Sequence, residues 1–142
     1  MPGIDGSQRG RLSAEPDTVS DVSAIPYTDD VLDPSVSLLQ LPDVAKLLGL
    51  VVTRVHQMLR EGELIAVRRD GIISVPEDFF DGADIVRLLP GLLRVLRDGG
   101  YTDAEILRWL FTEDDTLPGT PIAAMHTDSA REVVRRAQAM AF

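Results

Sequence analysis

The 142-residue chain contains no cysteine. That absence excludes a disulfide scaffold, a cysteine-ligated zinc site, an iron–sulfur cluster and thiol catalysis, and it fits a reducing compartment. Aromatic residues make up only 5% of the chain, so aliphatic side chains must supply most of the core. No apolar run approaches the roughly 20 residues of a membrane-spanning helix, and the first residues lack the apolar segment of a secretory signal. We therefore expect a cytoplasmic protein with no membrane partner.

Catalytic motifs are also missing. The two histidines, His56 and His126, lie far apart in the sequence, and no HExxH, GxGxxG, phosphate-binding loop or Gly-x-Ser-x-Gly pattern occurs. The acidic run Glu113-Asp114-Asp115 is typical of a solvated loop. We expect no enzymatic activity, no cofactor and no metal site.

Cationic side chains are scarce, with 14 Lys and Arg against 23 Asp and Glu, a net charge of −9. Such an excess argues against a general nucleic-acid binder, which usually carries a basic surface. The negative charge is unevenly distributed along the chain. Residues 1–37 and residues 77–142 each have a net charge of −5, whereas residues 41–76 have a net charge of +1. The least acidic stretch is therefore the compact central one, whose cations are Lys46, Arg54, Arg60, Arg68 and Arg69.

Residues 1–37 are rich in Ser, Thr, Asp, Pro and Gly, and their few apolar residues follow no sustained period. Such a segment buries too little surface to offset its ordering entropy, which predicts a disordered acidic tail. Whether residues 27–34 fold back on the core is left open. The hydroxyls of the tail are candidate sites for a Ser/Thr protein kinase, since a phosphate would add negative charge near a DNA-facing surface. These candidates are Ser7, Ser13 and Thr18, with Ser20 and Ser23 as further accessible hydroxyls.

Two helices are predicted next. Pro42 suits the first helical position, apolar residues recur after it at helical spacing, and Gly49 suits the helix end. A second helix is expected from about Thr53 to Glu61, with Thr53 as the N-cap. Its inner stripe is Val55, Met58 and Leu59.

A β-hairpin should follow. Two β-rich runs, 64–69 and 72–76, flank Asp70-Gly71, and this dipeptide favours a tight turn because both residues tolerate positive φ. A two-residue loop would place Val67 opposite Ser74 and Arg68 opposite Ile73. Neither face of that hairpin is cleanly apolar, so a longer loop stays open.

The remaining residues, 79–142, are predicted to form a helical extension. Thr102 with Glu105, and Ser129 with Glu132, each match the capping box that opens a helix. The last helix has an apolar stripe that could pack internally or across a dyad. We expect internal packing and a monomer, with a weak dimer as the alternative.

The order helix, short turn, helix, hairpin resembles a winged helix-turn-helix of the excisionase and MerR kind. The resemblance lies in residues 41–50 (LPDVAKLLGL), in 59–69 (LREGELIAVRR) with its Arg-Glu-Gly-x-Leu step, and in Val75-Pro76. Residues 89–93, 98–101, 109–111 and 130–141 extend it to a small actinobacterial family of winged-helix DNA-binding proteins. The resemblance implies a mainly α fold, in which residues 38–78 form a winged helix-turn-helix with a small β-hairpin wing and residues 79–142 form a helical C-terminal extension packed on it.

In such a motif the second helix enters the major groove of DNA. With Val55 inward, a rotation of about 100° per residue points Thr53, Gln57 and Arg60 outward and leaves Arg54 and His56 on the flanks. Glutamine can read adenine with two hydrogen bonds, and arginine can read guanine or hold a phosphate.

The hairpin tip would offer Arg68 and Arg69 to the DNA backbone or minor groove, and Lys46 could touch a phosphate from the first helix. In related wings the arginine at the Arg68 position contacts the backbone. Val51 and Val52 stand where related motifs carry a small polar cap and a basic residue, so the helix entry loses phosphate and base contacts. The predicted DNA-binding residues are Lys46, Thr53, Arg54, Gln57, Arg60, Arg68 and Arg69.

The function implied is binding of double-stranded DNA by a transcriptional regulator in the cytoplasm, associated with the nucleoid. The alternative is a protein-interaction adaptor that uses the winged-helix scaffold without strong DNA binding, because function belongs to sites rather than folds.

Overall fold

The structure is a computed structural model, and it describes residues 25–142. The strands are β1 (Thr28–Asp29), β2 (Leu38–Gln40), β3 (Val67–Arg69), β4 (Ile72–Pro76), β5 (Phe80–Asp81) and β6 (Asp84–Ile85). The helices are α1 (Leu41–Leu48), α2 (Val52–Arg60), α3 (Leu89–Asp98), α4 (Asp103–Leu110), α5 (Pro121–Ala124) and α6 (Ala130–Ala141), and a 3-10 turn covers Glu77–Phe79. This is the predicted winged helix-turn-helix with a hairpin wing and C-terminal helices.

The helix-turn-helix unit is α1, the turn of residues 49–51, and α2. Gly49 ends α1 in the left-handed conformation at φ 70°, and the N–H groups of Gly49 and Leu50 donate to the carbonyls of Lys46 and Ala45. This pattern satisfies carbonyls that a helix end leaves unpaired. The predicted inner stripe of α2, Val55, Met58 and Leu59, is buried.

The start of α2 differs from the prediction. The helix begins at Val52, and Val51 is its N-cap, in an extended conformation and with no side-chain capping bond. Thr53 is therefore an exposed residue inside the first turn rather than the cap. The cause is the backbone of Val51, whose carbonyl already accepts the first helical hydrogen bond, from the N–H of Arg54.

The wing adopts the two-residue loop. Val67 pairs with Ser74, Arg68 with Ile73 and Arg69 with Ile72. The turn residues Asp70 and Gly71 have φ of 53° and 78°, as a tight hairpin turn that matches the strand twist requires. The longer loop is not used.

The first described residues correct the predicted extent of the acidic tail. β1 pairs in parallel with β3, and the four-stranded sheet has the order β1-β3-β4-β2. Ile25 and Leu32 are buried, 4% and 8% exposed. Residues 25–37 thus belong to the fold, because a strand of two residues gains its order from a distant partner and leaves no period in the sequence. The predictions for residues 1–24, including phosphorylation at Ser7, Ser13, Thr18, Ser20 and Ser23, lie outside the described residues.

The C-terminal helices share one continuous hydrophobic core with the helix-turn-helix. Thr102 caps α4 in the predicted capping box, accepting from the N–H of Glu105, whose carboxylate accepts from the N–H of Thr102. The second predicted box is wrong, because Ser129 makes no side-chain cap and the Glu132 carboxylate pairs with Arg135 and Arg136 instead. None of the helices within residues 25–142 is long and apolar enough to cross a bilayer.

Candidate nucleic-acid interface

Helix α2 presents one continuous outer face. Thr53, Gln57 and Arg60 are all exposed, while the opposite side of the helix is buried in the core. Residues four and three apart lie above one another on a helix, so these three side chains form a single row. The row is the one that the helical period predicts.

Gln57 is held in place by its neighbour one turn on. Its Nε2 donates to Oε2 of Glu61 at 2.9 Å. An amide nitrogen has two donors and the amide oxygen accepts, so one N–H and the oxygen of Gln57 have no partner among the described residues. Those two groups are what a bidentate contact with adenine requires.

Two of the predicted cations are exposed and make no ion pair with any residue in 25–142. Lys46 lies in the last turn of α1, and Arg60 is the last residue of α2. A cation without a local carboxylate keeps its full charge available for an external anion. Both side chains are therefore suited to contact phosphate.

Arg54 lies on the flank and faces a cleft instead of the outer row. Its Nη1 is 3.7 Å from Oε1 of Glu61, a distance that gives an ion pair without a hydrogen bond, and this nitrogen is buried. The cleft has a volume of about 620 Å³ and is lined on its other side by Asp81, Asp84 and Arg87. Part of the charge of Arg54 is thus balanced within the chain.

Arg68 is exposed on the wing and lies against an aromatic ring. Its guanidinium carbon is 5.9 Å from the ring centroid of Tyr27, a cation–π distance, and its Nη1 donates to the Tyr27 hydroxyl at 3.4 Å. The contact restricts the side chain without neutralising it. Arg68 therefore keeps the position at the surface that the sequence predicts.

Arg69 is engaged within the chain. Its Nε and Nη2 donate to the two carboxylate oxygens of Asp30, at 2.5 and 3.3 Å. Its Nη1 donates to the carbonyl of Val36 at 2.9 Å, and its Nη2 also reaches the carbonyl of Asp33. The hydrogen bond from Arg69 lowers the pKa of Asp30, against the opposing effect of burial. The side chain is only 22% exposed, so Arg69 ties residues 30–36 to the wing and does not project from its tip.

Tyr27 and Asp30 are the site residues that sequence reasoning missed. Both lie in the stretch assigned to the tail, and their partners are 41 and 39 residues away in the sequence. The sole local signal is the pair Tyr27-Thr28, two residue types common in strands, and two residues are too few to predict one.

Histidine 56 lies on the other flank of α2, facing the wing. It lines an apolar cleft of about 380 Å³ together with Val52, Gly71 and Ile72. Within residues 25–142 no cluster of three or more His, Asp or Glu side chains is arranged to hold a metal ion.

Two family models match the chain. The model described as "DNA-binding protein Rv2175c, wHTH domain" matches residues 24–80, and the model "Rv2175c C-terminal domain of unknown function" matches residues 86–141. The chain is 51% identical over 138 residues to the DNA-binding protein Rv2175c of Mycobacterium tuberculosis (strain ATCC 25618 / H37Rv), an alignment that covers 88% of this chain and 94% of that protein.

A solved structure is also similar. The NMR structure of Rv2175c superposes with a TM-score of 0.76 at 47% sequence identity, and the superposition covers 95% of this chain and 100% of the other. The two proteins therefore share the fold over nearly their whole length.

Proposed function

The chain belongs to the family of the DNA-binding protein Rv2175c, and on that premise we propose that it binds double-stranded DNA. In this proposal α2 lies in the major groove, and the wing formed by β3 and β4 lies on the backbone or in the minor groove. The observation that carries the proposal is the exposed row Thr53, Gln57 and Arg60 on α2, in a fold whose second helix is the one that enters the groove.

The roles of the residues follow from their surroundings. Gln57 and Thr53 face base edges, with Gln57 suited to adenine. Lys46, Arg60 and Arg68 contact phosphates, because they are exposed and have no carboxylate partner among the described residues. Arg54 contributes little to DNA binding, because Glu61 partly balances its charge. Arg69 contributes indirectly, because it holds residues 30–36 against the wing.

Three phosphate contacts set the expected salt dependence. For duplex DNA the slope of log K against log salt is about −0.9 per contact, so the wild-type slope should be about −3. An acidic remainder weakens binding to random sequence further. The expected affinity is therefore modest and strongly dependent on ionic strength.

The test is the salt slope for a duplex of random sequence, measured for the wild type and for Lys46→Ala, Arg60→Ala and Arg68→Ala. Each substitution should reduce the slope by about 1. Arg135→Ala, which removes an exposed cation on α6, is the matched control and should leave the slope unchanged. If the three variants keep the wild-type slope, the phosphate contacts are misassigned. If the wild type shows no salt-dependent binding at all, the adaptor function replaces this one.

The cellular role we propose is transcriptional regulation by a cytoplasmic, nucleoid-associated protein, with no catalytic activity. It is supported by the small basic face on an acidic chain, which suits a local regulator better than a protein that coats DNA.

We also propose a monomer in isolation, testable by sedimentation equilibrium, and a Ser/Thr protein kinase acting on the N-terminal residues, testable by mass spectrometry of the native protein. The likeness to excisionase and MerR motifs is a resemblance of this unit alone.

A further inference from the structure

Three large apolar side chains are exposed in a row where α1 turns into α2. Leu50, Val51 and Val52 are 40%, 70% and 36% exposed. Among the large apolar side chains of residues 25–142, only the terminal Phe142 is more exposed than Val51. Leaving apolar surface in water is unfavourable by about 25 cal/mol per Å², so neighbouring exposed apolar side chains of this kind are a candidate binding surface.

The position of these side chains within the fold narrows what could bind. Val51 is the N-cap of α2 and Val52 its first residue. In helix-turn-helix proteins the N-terminal residues of the second helix contact base edges in the major groove. The place where a polar or basic side chain would be expected is therefore occupied by methyl groups.

The apolar surface continues from the helix entry to the wing. Val52 and Ile72 line one apolar cleft, and Ile72 on β4 is 44% exposed. The surface is thus continuous with the row Thr53 and Gln57 on one side and with the wing on the other. Both neighbouring surfaces belong to the proposed DNA interface.

Valine can neither donate nor accept a hydrogen bond, so it can recognise only an apolar group. The single apolar group that a base pair displays in the major groove is the C5 methyl of thymine. We propose that Val51 and Val52 contact thymine methyl groups and give the protein a preference for sites that contain A·T pairs at the helix entry. The inference rests on the proposed DNA binding, and Gln57, one turn beyond Thr53, would supply the adenine contact of the same kind of site.

The expected effect of each methyl follows from its burial. Burying one methyl or methylene group contributes about 0.8 kcal/mol, and about 1.4 kcal/mol is tenfold in affinity. Each contacted methyl should therefore change the dissociation constant about fourfold, and two should change it about fifteenfold.

The experiment removes only the methyl groups. The full chain is first used to select a bound duplex from a random pool, and the selected site is then made with every thymine replaced by deoxyuridine. The replacement leaves base pairing and all hydrogen-bonding groups unchanged. The wild type should bind the uracil duplex about fourfold more weakly for each contacted methyl, with the same salt slope on both duplexes.

The variants locate the effect on the protein. Val51→Ala/Val52→Ala removes the γ-methyl groups and should lose most of the preference for the thymine duplex over the uracil duplex. Both sites are exposed enough to keep the fold, which urea unfolding would verify. Met140→Ala is the matched control, because Met140 is 37% exposed on α6, and it should keep the wild-type preference for thymine.

Three results would overturn the inference. Equal binding of both duplexes by the wild type, with its salt slope intact, would remove methyl recognition and leave DNA binding standing, whereas absence of salt-dependent binding to any duplex would remove both. A double variant that keeps the thymine preference but loses self-association would show that the valines meet a second copy of the chain instead.

Discussion

At the residue scale, Arg68 and Arg69 on the wing have opposite roles although they are adjacent in the sequence. Successive side chains of a strand point to opposite faces. One of these faces is exposed and carries Arg68, whereas the other lies against residues 30–36, where Arg69 meets Asp30 and backbone carbonyls. A pair of arginines beside a turn therefore leaves one cation exposed at the surface and uses the other to hold the fold together.

The pair of Asp30 and Arg69 predicts a pH-dependent contribution to stability. Because Arg69 lowers the pKa of Asp30 in the folded chain, the contribution is fully present above the ordinary carboxyl pKa of about 4 and is lost as the pH falls through the lowered folded-state value. Asp30→Asn should reduce the free energy of unfolding by about 1 kcal/mol at pH 7. As the pH falls below about 4 and through that lowered value, the variant and the wild type should converge, as measured by urea unfolding.

The matched control is Asp29→Asn, one residue away on β1 and exposed. This substitution should change the free energy of unfolding by less than about 0.5 kcal/mol. A loss of equal size in both variants, or a gap for Asp30→Asn that persists in acid, would contradict the assignment.

At the scale of the elements, two helices begin with the same sequence pattern and different structures. Thr102 has an extended backbone with ψ of 161° and caps α4, whereas Ser129 has ψ of 2° and makes no side-chain cap on α6. A cap needs the extended conformation so that the hydroxyl can turn back on the first turn. The backbone conformation of the residue before each helix therefore decides whether its hydroxyl caps that helix. At Ser129 this conformation is set by the loop that leads from α5.

Removing the two hydroxyls should have unequal effects. Thr102→Ala should lower the free energy of unfolding by about 1 kcal/mol, since an N–H in the first turn of α4 loses its acceptor. Ser129→Ala removes a hydroxyl that caps nothing and should cost less than about 0.5 kcal/mol. The midpoints of urea unfolding for the two variants measure the difference, and equal midpoints would show that the box at Thr102 contributes nothing.

At the scale of the whole molecule, the C-terminal helices and the winged unit are joined by a shared core. Val44 of α1, Leu107 of α4 and Val133 of α6 are each fully buried, and all belong to one contiguous cluster. The guanidinium of Arg97 on α3 donates to the carbonyl of Gly62 after α2 and to Asp103. The position of α2 relative to the C-terminal helices is therefore set by both packing and hydrogen bonds.

The packing of α6 on α3 can be tested at a glycine. A Cβ on Gly99 would lie 2.5 Å from the Cβ of Ala141, whereas a Cβ on Gly91 would meet open space. Gly99→Ala should therefore destabilise the chain by about 1–2 kcal/mol, in the lower part of the range for overpacking because α6 ends there. Gly91→Ala, within α3, should be neutral or stabilise by up to about 1 kcal/mol. The midpoints of thermal unfolding measure both effects. An unchanged midpoint for Gly99→Ala would show that the end of α6 shifts away at no cost in stability.

The sequence by itself determined those features that depend on near neighbours. The buried stripe of α2, its exposed row, the end of α1 at Gly49 and the wing turn at Asp70-Gly71 follow from helical periodicity and turn chemistry. Hence the fold class and the α2 part of the candidate site could be predicted before any coordinates.

Only the tertiary structure decided the features that depend on distant partners. The strand β1 exists because β3 lies beside it, and Arg69 turns inward because Asp30, 39 residues earlier in the sequence, lies beside the wing. In each case the deciding interaction joins residues that no local pattern connects, so its free energy appears only once the chain has folded.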